Sequence, residues 1–180
     1  MARSVLTVFA LVSLMVSTAP LPAQHEQVRE GQGLWFNGGL GYGSLGCDLC
    51  TDREGASSFQ FGLGGTVSQK VMIGALSNVW LKNTGGTEIS VSTLVAGIRF
   101  YPSKTSGFYL TGGLGIGTIE VDREGPGSNT ESGAGAVLGA GWDLRVGHST
   151  SLTPFFTLFG MDNGDADANV TQFGLSVTIH

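Results

Sequence analysis

Only two cysteines occur in the chain, Cys47 and Cys50, spaced C-x-x-C in the stretch SLGCDLCTDREG. Such a pair can cycle between dithiol and disulfide, supply half of a metal site, or staple a loop. A redox pair needs a helix N-terminus or a cation to lower one thiol's pKa. The neighbours here are Asp48, Asp52 and Glu54, which push the other way. Structural zinc usually takes four Cys or His ligands. No histidine is near in sequence, although the three carboxylates would make an oxygen-rich set with the thiols.

Three other stretches invite chemistry. GYGSLG (Gly41 to Gly46) matches G-x-G-x-x-G. A dinucleotide site needs that turn to open a helix, and a polar loop without helical periodicity follows it. His148-Ser149 pairs a base with a nucleophile, but adjacent residues on a strand point to opposite faces. DNGDADAN gathers Asp162, Asp165 and Asp167 without the spacing or distal Glu of an EF-hand. His25 and His180 have no partner at ligand spacing. No cofactor, metal or catalytic residue is therefore expected, and the chain reads as non-enzymatic.

The elements that carry these residues are unusual in composition. Gly makes up 30 of 180 residues, against an ordinary usage of about 7%. Charged residues are 13%, where about a quarter is typical. There is no Gly-X-Y period, so collagen is excluded. The net charge of −5 and the lack of any basic run exclude nucleic acid as a partner.

Residues 1–23 read as a signal peptide: a short positive start, an apolar run from Ser4 to Thr18, then small residues and helix breakers up to a cut after Ala23. Residues 24–32 are a short polar segment. Residues 33–180 form the folded domain, in which no run is long enough for a transmembrane helix.

From Gly33 on, apolar residues recur with period two. Leu34, Phe36, Leu40 and Tyr42 oppose Trp35, Asn37, Gly39, Gly41 and Gly43. Phe59, Phe61, Leu63 and Val67 oppose Gln60, Gly62, Gly64 and Thr66. The same holds around Phe108 to Thr118, Gly133 to Val146 and Thr171 to Ile179. Three further strands, Val71 to Lys82, Glu88 to Phe100 and Ser151 to Met161, are apolar on both faces in part, and Pro154 marks a local break or bulge in the last. The eight strands run to about 10–13 residues, long for a soluble sheet and suited to a tilted membrane strand of about 9–11. Tight connections (Ser68 to Lys70, Tyr101 to Gly107, Gly147 to Thr150) alternate with a second set (Ser44–Ser57, Asn83–Thr87, Val121–Ser132, Asp162–Asn169), as in an up-and-down barrel.

The small-residue face decides which side meets which solvent. Turned outward, it would be a wall of Gly that packs nothing. Turned inward, it suits the narrow bore of eight strands, and the apolar face meets lipid while closure pairs every backbone group. Asp143 and Arg145 fall on the small face. With Arg99 they make a polar cluster in the lumen, or else a rim wetted from the tight-turn side.

These features together resemble the small eight-stranded outer-membrane β-barrel proteins of Gram-negative-type bacteria, across Gly33 to His180. The stretches SLTP and GLSVTIH are similar to the family described as outer membrane protein beta-barrel domain. Where that family usually ends on an aromatic residue, this chain has Ile179-His180. The resemblance implies a monomeric, porin-like barrel, placed in the outer membrane by the barrel-insertion machinery and surrounded by membrane lipid and lipopolysaccharide. It implies that the second set of connections faces the exterior. Trp80, Trp142, Tyr42, Tyr101 and Phe100 become candidates for the aromatic girdles. Cys47 and Cys50 then sit in the first exterior loop, in an oxidising compartment, and read as a local disulfide. The expected function is a structural or surface-interaction role through the loops. The alternatives are a lipocalin-like exported barrel holding a small apolar ligand, and a lipid A-modifying enzyme.

Overall fold

The structure, a computed structural model, describes residues 33–46, 52–123, 128–164 and 167–180. Within them the chain folds into strands alone: β1 (Leu34–Gly46), β2 (Glu54–Ser68), β3 (Val71–Thr84), β4 (Thr87–Phe100), β5 (Phe108–Arg123), β6 (Ser128–Trp142), β7 (Leu144–Arg145), β8 (Thr150–Asp162) and β9 (Asp167–Ile179). Neighbours in sequence pair antiparallel, and β9 returns to β1 with Leu40 opposite Leu175. β7 continues β6 for two residues, and both pair with β8. The wall is therefore an eight-stranded, closed, antiparallel up-and-down barrel, the class the alternation implies.

Pro154 explains the gap between β6 and β7. The β6–β8 ladder ends at Gly141 opposite Phe155 and resumes at Leu144 opposite Leu152. The missing N–H of proline removes a rung between these points. Pro154 keeps its place opposite Leu175 on the β9 side.

The hairpins reach further than the alternation suggests. The β5–β6 ladder continues to Asp122 opposite Ser128, through residues expected to form loop. Backbone pairing does not require apolar side chains once a register is set, so polar strand ends continue the ladder. The β3–β4 connection is only Gly85-Gly86, with φ of 59° and 81°. That positive-φ pair is what a two-residue primed turn demands and what two glycines supply without strain.

Apolar side chains cover the outer wall. Leu40, Leu114 and Leu138 are 65%, 75% and 64% exposed. The interior is less uniformly small than the alternation implies. β3, β4 and β8 send Met72, Leu76, Trp80, Val91, Val95, Phe155 and Phe159 inward. Glycines on facing strands make the room. A Cβ on Gly43 would lie 2.6 Å from the Trp80 ring, and one on Gly62 would lie 2.8 Å from the Trp35 ring.

Two of the five expected girdle residues are on the wrong side of the wall. Tyr42, Phe100 and Trp142 face outward. Trp80 and Tyr101 are fully buried in the interior. Trp80 shares the parity of Met72 and Leu76, and its indole N–H donates to the Gly43 carbonyl at 3.0 Å. Tyr101 follows the outward Phe100, so its ring turns in and lies 5.5 Å from that of Tyr109.

Candidate functional site

The interior is arranged in layers along the barrel. At the loop end it is apolar, with Trp80 beside Val91, Leu45 beside Val170, and Val170 beside Phe159. The middle is polar. Asn37 Nδ2 donates to Ser176 Oγ at 2.9 Å and Thr178 Oγ1 at 2.8 Å, and Gln60 Nε2 donates to Asn37 Oδ1 at 2.9 Å. The tight-turn end is charged. Asp143, 1% exposed, accepts from Tyr101 Oη at 2.7 Å and Thr153 Oγ1 at 2.6 Å. These two bonds tie the β4–β5 connection and β8 to the residue where β6 breaks, so the carboxylate bridges the seam that Pro154 opens.

Arg99 is also buried, its guanidinium 4.3 Å from the Tyr109 ring centroid and 5.1 Å from that of Trp35. Such stacking partly replaces the water a cation loses on burial. Its Nε and Nη1 have no hydrogen-bond partner in the protein. They border a cavity of about 20 Å³ lined by Asn37, Gln60, Asn78, Arg99, Thr111 and Thr157, among others. That volume is roughly what one water needs.

The residues singled out by sequence distribute as follows. Arg99 and Asp143 both lie inside, at the tight-turn end. Arg145 does not join them: it is exposed, and its Nη2 donates to the His148 carbonyl at 3.0 Å. It has the parity of Asp143, and Ser151 opposite it is buried, yet the arginine itself turns out to the connection before β8. His148 and Ser149 are exposed in the turn before β8. Gly41, Gly43 and Gly46 lie along β1, so GYGSLG is extended strand and not the turn a phosphate cradle needs. Asp162 Oδ1 accepts from the Gly164 N–H at 2.7 Å and so shapes its own turn. Among the described residues no three His, Cys, Asp or Glu side chains are placed to hold a metal. Cys47, Cys50 and Asp165 lie outside the described residues.

One set of contacts at the loop rim was not anticipated. Arg53 Nη2 donates to the Ser44 carbonyl at 2.5 Å and Thr171 Oγ1 at 3.2 Å, and Nη1 donates to Asn169 Oδ1 at 2.9 Å. Beside it Lys82 and Glu54 form an ion pair. Arg53 thus fastens the end of the first loop to β1 and β9, where the barrel closes. Nothing in its sequence neighbourhood signals this, because the partners come from register across the closure.

The barrel has the fold of small eight-stranded outer-membrane proteins of known structure. It superposes on neisserial surface protein A with a TM-score of 0.66 at 13% identity, covering 83% of this chain and 99% of that one. Against Ail, the attachment invasion locus protein of Yersinia pestis, solved with the heparin analogue sucrose octasulfate, the TM-score is 0.56 at 11% identity, over 82% and 99%. The N-terminal β-barrel domain of Pseudomonas aeruginosa OprF gives 0.53 at 12%, over 83% and 100%. No protein-family model matches the chain, and no curated protein matches it either.

Proposed function

Starting from the fold of a small outer-membrane barrel, we propose that the chain is a non-enzymatic integral protein of the bacterial outer membrane. Its work is done by the loop-bearing rim. The observation that carries this reading is the inverted barrel, apolar outside and filled inside. The cavity beside Arg99, about 20 Å³, has room for about one water and supports a barrel without general solute passage. The lipocalin-like alternative would need a roomy apolar lumen. A wide, open apolar groove lies on the outer wall over Leu40, Phe173 and Leu175.

The rim also has a chemistry. Described carboxylates there include Glu54, Glu88, Glu120, Asp122, Asp162 and Asp167. Ail was solved with a sulfated polyanion. An acidic rim repels such a ligand and favours a partner with a cationic face. Contact with lipopolysaccharide phosphates would run through divalent cations.

Fractionation and a heat-modifiability gel test the reading. The protein is expected in the outer-membrane fraction, migrating differently before and after boiling. Recovery as a soluble periplasmic protein would contradict it.

A further inference from the structure

Outside the lumen, the carboxylates are confined to one rim, while basic residues such as Arg53 and Lys82 occur there as well as at the other. Every described carboxylate other than the buried Asp143 lies at the loop end. At the opposite end each of the three tight connections carries one basic residue: Lys70 between β2 and β3, Lys104 between β4 and β5, and Arg145 at the start of the connection from β7 to β8.

Two of these cations are fixed to backbone. Lys70 Nζ donates to the Pro102 carbonyl at 3.0 Å and Arg145 Nη2 to that of His148 at 3.0 Å. Both fixed bonds use only part of the donor capacity of an ammonium or guanidinium. Their depth follows from their neighbours. Arg145 stands between Leu144 and Val146, 48% and 65% exposed, and Lys70 stands close to Val67, 59% exposed. Aliphatic side chains that open belong to the edge of the lipid-facing belt. Lys70 and Arg145 beside them therefore stand at headgroup level, and Lys104 is exposed on the third tight turn.

We infer that the tight-turn rim binds the headgroups of anionic phospholipids in the leaflet it faces. A zwitterionic headgroup brings its own ammonium to each phosphate. An anionic one leaves its phosphate uncompensated, and three spaced cations match that excess. The inference rests on the proposed reading of the chain as a membrane barrel. Each such cation contributes roughly a fivefold preference near a surface, so the rim as a whole should favour anionic over zwitterionic lipid severalfold even after partial screening.

The test uses the mature chain refolded in phosphatidylcholine vesicles, with trace spin-labelled phosphatidylglycerol or phosphatidylcholine reporting boundary lipid. Severalfold enrichment of phosphatidylglycerol over phosphatidylcholine is expected. It should collapse as salt rises and the Debye length falls from about 30 Å toward 3 Å. The triple variant Lys70→Gln, Lys104→Gln, Arg145→Gln should abolish it while the heat-modifiability gel shows a folded barrel. Equal boundary lipid in a folded wild type overturns the inference and leaves the barrel intact. So does enrichment that survives high salt, a measurement independent of the variant's folding, and so does enrichment that survives in the folded triple variant. A chain that inserts into neither vesicle overturns the membrane reading as well.

Discussion

At the scale of single residues, Asp143 is the most consequential side chain in the interior. It accepts two buried hydroxyl bonds across the gap that Pro154 leaves in the wall. Charge-assisted bonds of this kind contribute about 1.5–3 kcal/mol each, and Arg99 would lose the one carboxylate buried in the interior with it. Asp143→Ala should therefore cost about 3–5 kcal/mol in urea unfolding from lipid vesicles. Thr153→Val, which removes one of the two bonds, should cost less than half as much. Equal small losses would mean that the carboxylate is solvated and not part of the seam. A second residue-scale prediction concerns Gly43, which leaves room for the Trp80 ring. Gly43→Val should destabilise by about 1–3 kcal/mol through overpacking, and Trp80→Ala in the same chain should recover part of that loss in a double-mutant cycle. Gly38→Val is the control. Its added side chain would point to the outer wall, where a Cβ meets only Phe61 at 4.0 Å.

At the scale of strands and turns, the outward apolar face was legible because period two needs no knowledge of neighbours. Leu34, Phe36, Leu40 and Tyr42 are outward as the alternation implies. The inward content of β3, β4 and β8 was not legible. Those strands are apolar on both faces, and a large side chain can sit inside only where a facing strand offers glycine, which is a matter of register between distant segments. Trp80 shows the cost of ranking residue type above parity: an aromatic suited to a girdle lies under Gly43 instead. Arg145 shows the reverse. Its parity points inward, but its side chain is exposed and bonds the His148 carbonyl of the following turn. The polar network from Gln60 through Asn37 to Thr178 follows the small-residue parity, yet its bonds appear only once β9 is paired with β1. Among the turns, Gly85 and Gly86 are fixed by their positive φ. Gly85→Asn should be tolerated, whereas Gly85→Val should slow refolding and lower the urea midpoint. Cys47→Ser should leave barrel insertion intact on a heat-modifiability gel, because closing so short a loop restrains little of the unfolded chain. Loss of insertion would give the first loop a role in folding.

At the scale of the whole molecule, the proposed function requires lipid outside, a sealed interior and function confined to the rims. Planar-bilayer recordings should accordingly show no steady conductance, since the apolar layer of Trp80, Val91, Phe159 and Val170 closes the loop end above the polar middle. The most direct test is collisional exposure of nitroxide labels along β4 in reconstituted vesicles, in a Cys47→Ser, Cys50→Ser background. Leu94 and Ile98 are 60% and 47% exposed on the outer wall, whereas Glu88 stands at the loop rim. Labels at Leu94→Cys and Ile98→Cys should collide with oxygen dissolved in the bilayer far more than with a water-soluble nickel complex, and a label at Glu88→Cys should show the opposite. Preferential collision of the Leu94 and Ile98 labels with the nickel complex would place that wall in water and contradict the account.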